Sequence, residues 1–240
     1  MAHTLFISDL HLAAERPETT RCFFDFLERT APGADALCIL GDLFEYWIGD
    51  DDLDDPFNAD VAAALRRVTT AGLPVRLMHG NRDFVLGDAF CAATGASPLP
   101  DPSTIPLYGT PTLLLHGDTL CTDDVAYQRW RVQSRDPAWQ QSQLAQPLAA
   151  RRALAGRIRA QSIATTANLP ANIVDASGDA IEAALLRHAC TRMIHGHTHR
   201  PARHLHRVDG RTCERWVLPA WDERGGYLRV DADGCTPQRC

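Results

Sequence analysis

Five short apolar runs, each followed at once by residues that can ligate a metal, constrain this chain more than any other feature. Residues 4–8 (TLFIS) run into Asp9 and His11. Residues 36–40 (ALCIL) run into Gly41-Asp42, and residues 75–78 (VRLM) into His79-Gly80-Asn81. Residues 112–115 (TLLL) run into His116-Gly117-Asp118, and residues 191–194 (TRMI) into a cluster that holds His195, His197 and His199. Runs this short, with no period-two alternation, read as strands buried on both faces. Between them, residues 18–30 and 58–71 space apolar side chains at three and four, and Gly72-Leu73-Pro74 supplies a stop signal after the second. Strand–helix–strand alternation predicts a layered α/β fold. In such folds ligands gather beyond the carboxyl ends of strands, which is where every run deposits its polar residues.

Residues 125–190 break this rhythm and read as mostly helical. From 125 to 162 there are seven arginines (129, 131, 135, 151, 152, 157 and 159) and one acid, Asp136. That stretch is +6 in a chain of −6, which leaves −12 for the remainder. Residues 144–162 place Leu144, Leu148, Leu154 and Ile158 among these arginines. The expected organisation is a core of 1–124 and 191–240 with 125–190 inserted as a helical cap beside the site. The plain alternative is an amphipathic helix with solvated arginines. After residue 203, the segments HLHRVDG, ERWVL and GGYLRVDADG read as a closing hairpin meander, with His204 and His206 as exposed strand residues. The acid run Asp50, Asp51, Asp52, Asp54 and Asp55 reads as a solvated, self-repelling loop rather than a third metal site.

The chain's 240 residues suit one large domain with an inserted subdomain. Its acidic balance argues against a nucleic-acid footprint. Eight cysteines form no CxxC pair, so they read as reduced thiols rather than a zinc site. The start, MAHTLFISDLHL, lacks a basic n-region and a long apolar stretch. A cytoplasmic enzyme without a signal peptide is the expectation. No run approaches the 18 apolar residues needed to span a bilayer. The chain contains no lysine, so arginine is its only long-chain cation for holding phosphate.

Asp9, His11, Asp42, Asn81, His116 and two of the histidines at 195, 197 and 199 are oxygen or imidazole donors with no thiolate among them. Such a set suits Mn²⁺, Fe²⁺ or Zn²⁺. Seven donors exceed the needs of one tetrahedral ion and suit two octahedral ions sharing a bridge. Spacing alone does not choose between His195/His197 and His197/His199.

The ordered strings SDLH, GDLFEYW, HGNRD, HGDTL and HGHTHRP resemble those of the calcineurin-type metallophosphoesterases. More narrowly, LGDLFEYWIGDDD (40–52), GNRDF (80–84), HGDTLCTDD (116–124) and IHGHTHRP (194–201) resemble the branch that acts on UDP-2,3-diacylglucosamine in lipid A synthesis. The similarity spans about residues 4–221, densely in the core and patchily over 135–190. The resemblance implies a four-layer α/β sandwich, two mixed β-sheets flanked by helices, with a helical cap insertion. It implies a first ion on Asp9, His11, Asp42 and His199, and a second on Asp42, Asn81, His116 and His197, with Asp42 bridging. Two Mn²⁺ ions are the implied cofactors. They would activate a water against the phosphorus next to uridine, and His195 would orient a ligand or pack.

The implied catalytic residues are Asn81 and Arg82, and the implied substrate contacts are Asn81, Arg82, Asp124, Ser162, Thr166 and His197. Arg82 stands where many members of the wider family carry a histidine. Arginine clamps phosphate but releases no proton near neutrality; a salt bridge to Asp83 or Asp118 is its structural alternative. The cap departs from the branch's pattern. Ser162 is kept, Thr166 stands for an asparagine and Leu169 for a lysine, so Asn168, Arg157 and Arg159 are candidates to replace the lost contacts. The implied partners are the lipid-linked UDP-sugar and, peripherally, the anionic cytoplasmic face of the inner membrane, with no nucleic acid and no protein partner. The alternatives are a phosphoesterase for another nucleotide or a phosphoprotein, and a non-catalytic scaffold on the same fold. The scaffold is disfavoured because all seven donor positions are filled.

Overall fold

The computed structural model describes residues 1–160, 173, 175–221 and 225–240, and of residues 161–166 the helical backbone alone. Expected contacts from Ser162, Thr166, Asn168 and Leu169 therefore lie outside the described side chains. The elements run β1 (His3–Ile7), α1 (Pro17–Arg29), β2 (Ala36–Leu40), α2 (Pro56–Thr70), β3 (Val75–Met78), α3 (Asp88–Thr94), β4 (Ser97–Pro98), β5 (Ser103–Leu107) and β6 (Thr110–Leu114). Then follow α4 (Val125–Ser134), α5 (Pro137–Leu144), α6 (Leu148–Thr166), α7 (Gly178–Arg187), β7 (Arg192–His195), β8 (Ala202–Val208), β9 (Arg211–Val217), β10 (Gly226–Asp231) and β11 (Gly234–Arg239).

Two mixed sheets result, ordered β11-β10-β1-β2-β3-β4 and β5-β6-β7-β9-β8. Side chains alternate across a strand, and here both faces are buried, so neighbouring residues serve different layers. Leu5 and Ile7 of β1, Leu37 and Ile39 of β2 and Leu77 of β3 face an apolar cluster built with Phe23, Phe26 and Leu27 of α1 and Val61 and Leu65 of α2. The intervening Phe6, Cys38, Leu40 and Met78 face the other sheet, where Leu114, Ile194 and Leu218 meet them. Leu113 and Met193 turn outward again, onto Ile181 and Leu185 of α7. Helices, sheet, sheet and helix make four layers, and α7, though inside the 125–190 stretch, packs on the second sheet.

Local chemistry sets the helix boundaries. Pro17 opens α1, whose apolar face seats Phe23 and Phe26 edge-on against buried Trp221. Asp55 caps α2 by accepting the Phe57 amide at 3.0 Å, and the helix gives way to Gly72 at φ +98°.

Three sequence expectations are corrected. The closing segments are two hairpins on different sheets, not one meander: β8 pairs with β9 in the second sheet, and β10 with β11 in the first. His204 and His206 are half-buried rather than exposed, and His206 accepts from Arg215 at 3.2 Å. The acid run is not a repelling loop. Asp50 accepts from the Trp47 indole and the Gly87 and Phe90 amides, and Asp51 and Asp52 pair with Arg151 and Arg152 of α6. The mostly helical stretch is interrupted between α5 and α6, where Pro147 follows two non-helical residues.

Candidate metal centre

The carboxyl ends of β1, β2, β3, β6 and β7 deliver Asp9, Asp42, Asn81, His116 and the 195–199 turn to one place. A chain of close approaches links all seven donors. His11 Nε2 lies 3.3 Å from His199 Nε2, and His199 Nε2 lies 3.5 Å from Asp9 Oδ1. Asp42 Oδ2 stands 3.8 Å from both His11 Nε2 and His116 Nε2. Asn81 Oδ1 lies 2.9 Å from His116 Nε2 and 2.8 Å from His197 Nδ1. Two groups of donor atoms, Asp9/His11/His199 and Asp9/Asp42/His116, lie each within 4.8 Å of one another. Asp9 is common to the two groups, and Asp42 Oδ2 lies equally close to His11 and His116.

The backbone is bent to make this convergence. Asp9, His11, Asp42, His197 and His199 all adopt positive φ, from 50° to 67°. Non-glycine residues hold that conformation at a cost of about 1–3 kcal/mol each, and only when the surroundings over-determine it. Asp83 is one such determinant. It is fully buried, and its carboxylate accepts the Asp42, Leu43, Phe44 and Gly80 amides, tying the two loops together. Glycine is required at two approaches: a Cβ at Gly80 would collide with Asp42 Oδ1, and one at Gly196 with Asp9 Oδ2.

The neighbouring contacts aim the donor atoms. Asp42 Oδ1 accepts the Arg82 amide at 2.8 Å, which leaves Oδ2 turned to the cluster. His116 donates from Nδ1 to the Leu40 carbonyl at 2.9 Å, which leaves Nε2 as the nitrogen turned to the cluster. His195 is not in the cluster. Arg215, which cannot accept, stands 3.1 Å from His195 Nε2, so the imidazole proton lies on Nδ1 and goes to the Gly196 carbonyl at 2.8 Å. That carbonyl also accepts the Thr198 amide, closing the turn that carries His197 and His199.

Charge and burial in this cluster fit divalent cations. Burial pushes His11 down to about 3 and His197 down to about 4, so both are neutral lone-pair donors. Burial, reinforced by Asp83 and Asp9, pushes Asp42 up to about 7. His116 is pulled down by burial, but Asp42, Asp9 and Asp118 outweigh it and hold it up at about 9. Crowded carboxylates that raise a neighbouring imidazole in this way are the surroundings a cation relieves. Asp9 Oδ1 is buried and has no hydrogen-bond partner.

The donors open onto a cavity of about 430 Å³ that Arg82, Asp124, Tyr127 and Arg159 also line. Neither alternative pairing of Arg82 is present: Asp83 is engaged with backbone amides, and Arg82 Nε is buried without a hydrogen-bond partner. Asp124 caps α4 by accepting the Tyr127 amide at 2.9 Å while facing the cavity. Arg16, Glu45, Tyr127 and Thr198 line the cavity too, and none was singled out by motif. Tyr127 rides on a helix with no metal-type residue after it; its signal was only its place three residues beyond Asp124. A larger cleft of about 830 Å³ lies by Trp216 and Tyr227, and none of the seven donors lines it.

The arginines of residues 125–162 mostly face acids earlier in the chain rather than being simply solvated. Arg131 Nε donates to Asp118 at 2.8 Å beside Tyr127 Oη at 2.5 Å, and Arg135 donates to the Gly80 carbonyl at 2.7 Å. Arg151 forks onto Asp51 and the Ile48 carbonyl. Arg159 Nε meets Glu45 Oε1 at 2.7 Å. Arg129 and Arg157 are exposed.

Comparison with known proteins adds a consistent picture. The sequence profile described as calcineurin-like phosphoesterase matches residues 2–201. A protein of Xanthomonas campestris pv. campestris (strain B100) named UDP-2,3-diacylglucosamine hydrolase is 53% identical, covering 96% of each chain. Proteins of the same name from Xanthomonas axonopodis pv. citri (strain 306) and Pseudomonas paraeruginosa are 52% and 51% identical, over 97% and 96% of this chain and 97% and 95% of theirs.

Proposed function

This chain belongs to the calcineurin-like phosphoesterase family, and from that premise we propose that it is a metal-dependent hydrolase of UDP-2,3-diacylglucosamine. The products are 2,3-diacylglucosamine 1-phosphate and UMP. The observation that carries this reading is the convergence of seven oxygen and imidazole donors beneath an arginine-lined cavity, in a chain about half identical to proteins bearing that substrate's name.

In this reading Asp9, His11, Asp42 and His199 would hold one ion, and Asp42, Asn81, His116 and His197 a second, with Mn²⁺ as the ion. Bound there, the pair would supply a water of lowered pKa and offset charge on the phosphoryl oxygens. The chain's own groups do the rest. Arg82, with an unpaired guanidinium nitrogen beside the donors, clamps the phosphoryl group. Asn81 and His197 border the same oxygens. Water adds to the phosphorus next to uridine, and the bond to the bridging oxygen breaks. The sugar 1-phosphate departs already ionised, so an arginine at 82 suffices where a proton donor would otherwise be needed. Asp124 from the core and Ser162 and Thr166 from the cap contribute substrate contacts, and Arg159, which lines the cavity, supplies the cation that Leu169 does not.

Residues 125–190 act as the cap insert on a core of 1–124 and 191–240, with α7 keeping that insert docked. The enzyme works at the cytoplasmic face of the inner membrane, where its greasy substrate resides. Exposed Val125, Val132 and Leu144 beside exposed arginines support that placement. Among the described residues no helix is long and apolar enough to cross a membrane.

The test is Mn²⁺-dependent release of UMP from UDP-2,3-diacylglucosamine. Asp42→Ala should cost about 10³-fold or more, and Arg82→Ala about 10²–10³-fold. Faster release of phosphate from p-nitrophenyl phosphate than of UMP from the lipid overturns the substrate assignment.

A further inference from the structure

Glu45 stands between the cap and the donor cluster. Its backbone is fixed by a hydrogen bond from its amide to the Leu12 carbonyl at 3.0 Å, next to the parallel bridge of Leu12 and Phe44. Its side chain is nearly buried, and its two oxygens face different ways. Oε1 accepts Arg159 Nε from α6 at 2.7 Å. Oε2 stands 3.7 Å from His11 Nδ1, beyond hydrogen-bond length. That Nδ1 is buried and has no hydrogen-bond partner, while the opposite nitrogen of the ring faces Asp42 and His199.

An imidazole that offers one nitrogen to a cation binds best when the other donates to a carboxylate. The bond fixes the tautomer, holds the ring and raises the donor's basicity. Here the carboxylate is in place but is drawn off by a cap arginine that is itself half exposed. The geometry points to Glu45 as a positioning residue for which Arg159 and His11 compete, so that the cap sets how firmly His11 is held. With Arg159 on Oε1, His11 Nδ1 goes unmatched. With Arg159 released, Oε2 closes on Nδ1–H, and no proton changes owner. Because equilibrium coupling is reciprocal, whatever draws Arg159 off Glu45 tightens the cation site, and a bound cation loosens Arg159. The competition needs no substrate. Only the statement that an anionic substrate draws Arg159 away rests on the function proposed above.

The experiment is calorimetric titration of Mn²⁺ into the metal-free full-length chain, with no substrate present. Arg159→Met should tighten binding about threefold or more. Glu45→Gln should weaken it about tenfold, the low end for loss of such an outer partner. The double variant Glu45→Gln/Arg159→Met should match Glu45→Gln alone, since Arg159 acts only through Glu45. Arg159→Lys keeps a cation for Oε1 and should stay within about twofold of the parent. An Arg159→Met protein that binds no tighter than the parent, a Glu45→Gln protein of parental affinity, or a double variant in which the two effects add independently overturns the coupling. The Arg159 substitutions lie on the cap surface, so they remain informative if Glu45→Gln fails to fold. A wrong substrate assignment would appear in the UMP assay and leave these titrations untouched.

Discussion

Five donor residues in left-handed backbone conformations are an expense that ordinary loop closure does not need. The donor atoms they aim titrate in a way that fixes how cation binding depends on pH. In the ion-free protein Asp42 is pushed up to about 7, chiefly by burial, and His116 is held up at about 9 by the carboxylates around it. A cation must displace a proton from each, so binding releases protons and strengthens as pH rises. Affinity for Mn²⁺ should climb from pH 6 through about 9 and flatten above, as read by calorimetry in buffers of different ionisation heat. A flat profile across that range would remove these two groups from the site. Most of this residue-level picture was legible in the sequence, because each donor directly follows an apolar run. Glu45 and Tyr127 were not, since nothing local marks a residue that acts through its neighbours. Only resemblance set His197 and His199 apart from His195, and the Arg215 guanidinium beside His195 Nε2 is visible only in three dimensions.

At the level of elements, the buried strands were readable because both of their faces are apolar. The pairing of the last four strands was not, since two consecutive hairpins carry the same periodicity whichever sheet they join. Likewise, an acid run gives no local sign that cations 100 residues further on will meet it, yet Arg151 and Arg152 of α6 do so. Arg151 is nearly buried while its partner Asp51 is more than half exposed. Most of its contribution therefore comes from the bond to the buried Ile48 carbonyl rather than from charge pairing. Arg151→Met should cost about 1–2 kcal/mol of stability in denaturant titration. It should also speed amide exchange at Asp52 and Leu53, which close the short turn against Gly49 and Asp50. Unchanged exchange there would mean that α6 does not hold this loop.

Over the whole molecule, charge is divided rather than balanced. The chain is net −6, the 125–162 stretch is +6, and much of that excess is spent on acids earlier in the chain. What remains exposed includes Arg129 between Val125 and Val132 on α4, and Arg157 on α6, a modest basic and apolar surface. Sedimentation with anionic vesicles should therefore show weak, salt-sensitive association, largely lost above about 0.5 M salt. Equal binding to neutral vesicles would place the contact on apolar side chains alone. The four-layer sandwich brings strand ends from two sheets to one rim, and arginines of α4 and α6 pair with acids of the loops there. The most direct measurement is anomalous scattering from crystals grown with Mn²⁺. The account predicts two ions about 3.5–4 Å apart, bridged by Asp42 and completed by Asp9, His11 and His199 on one side and by Asn81, His116 and His197 on the other. A single ion, or a pair not sharing Asp42, would contradict it.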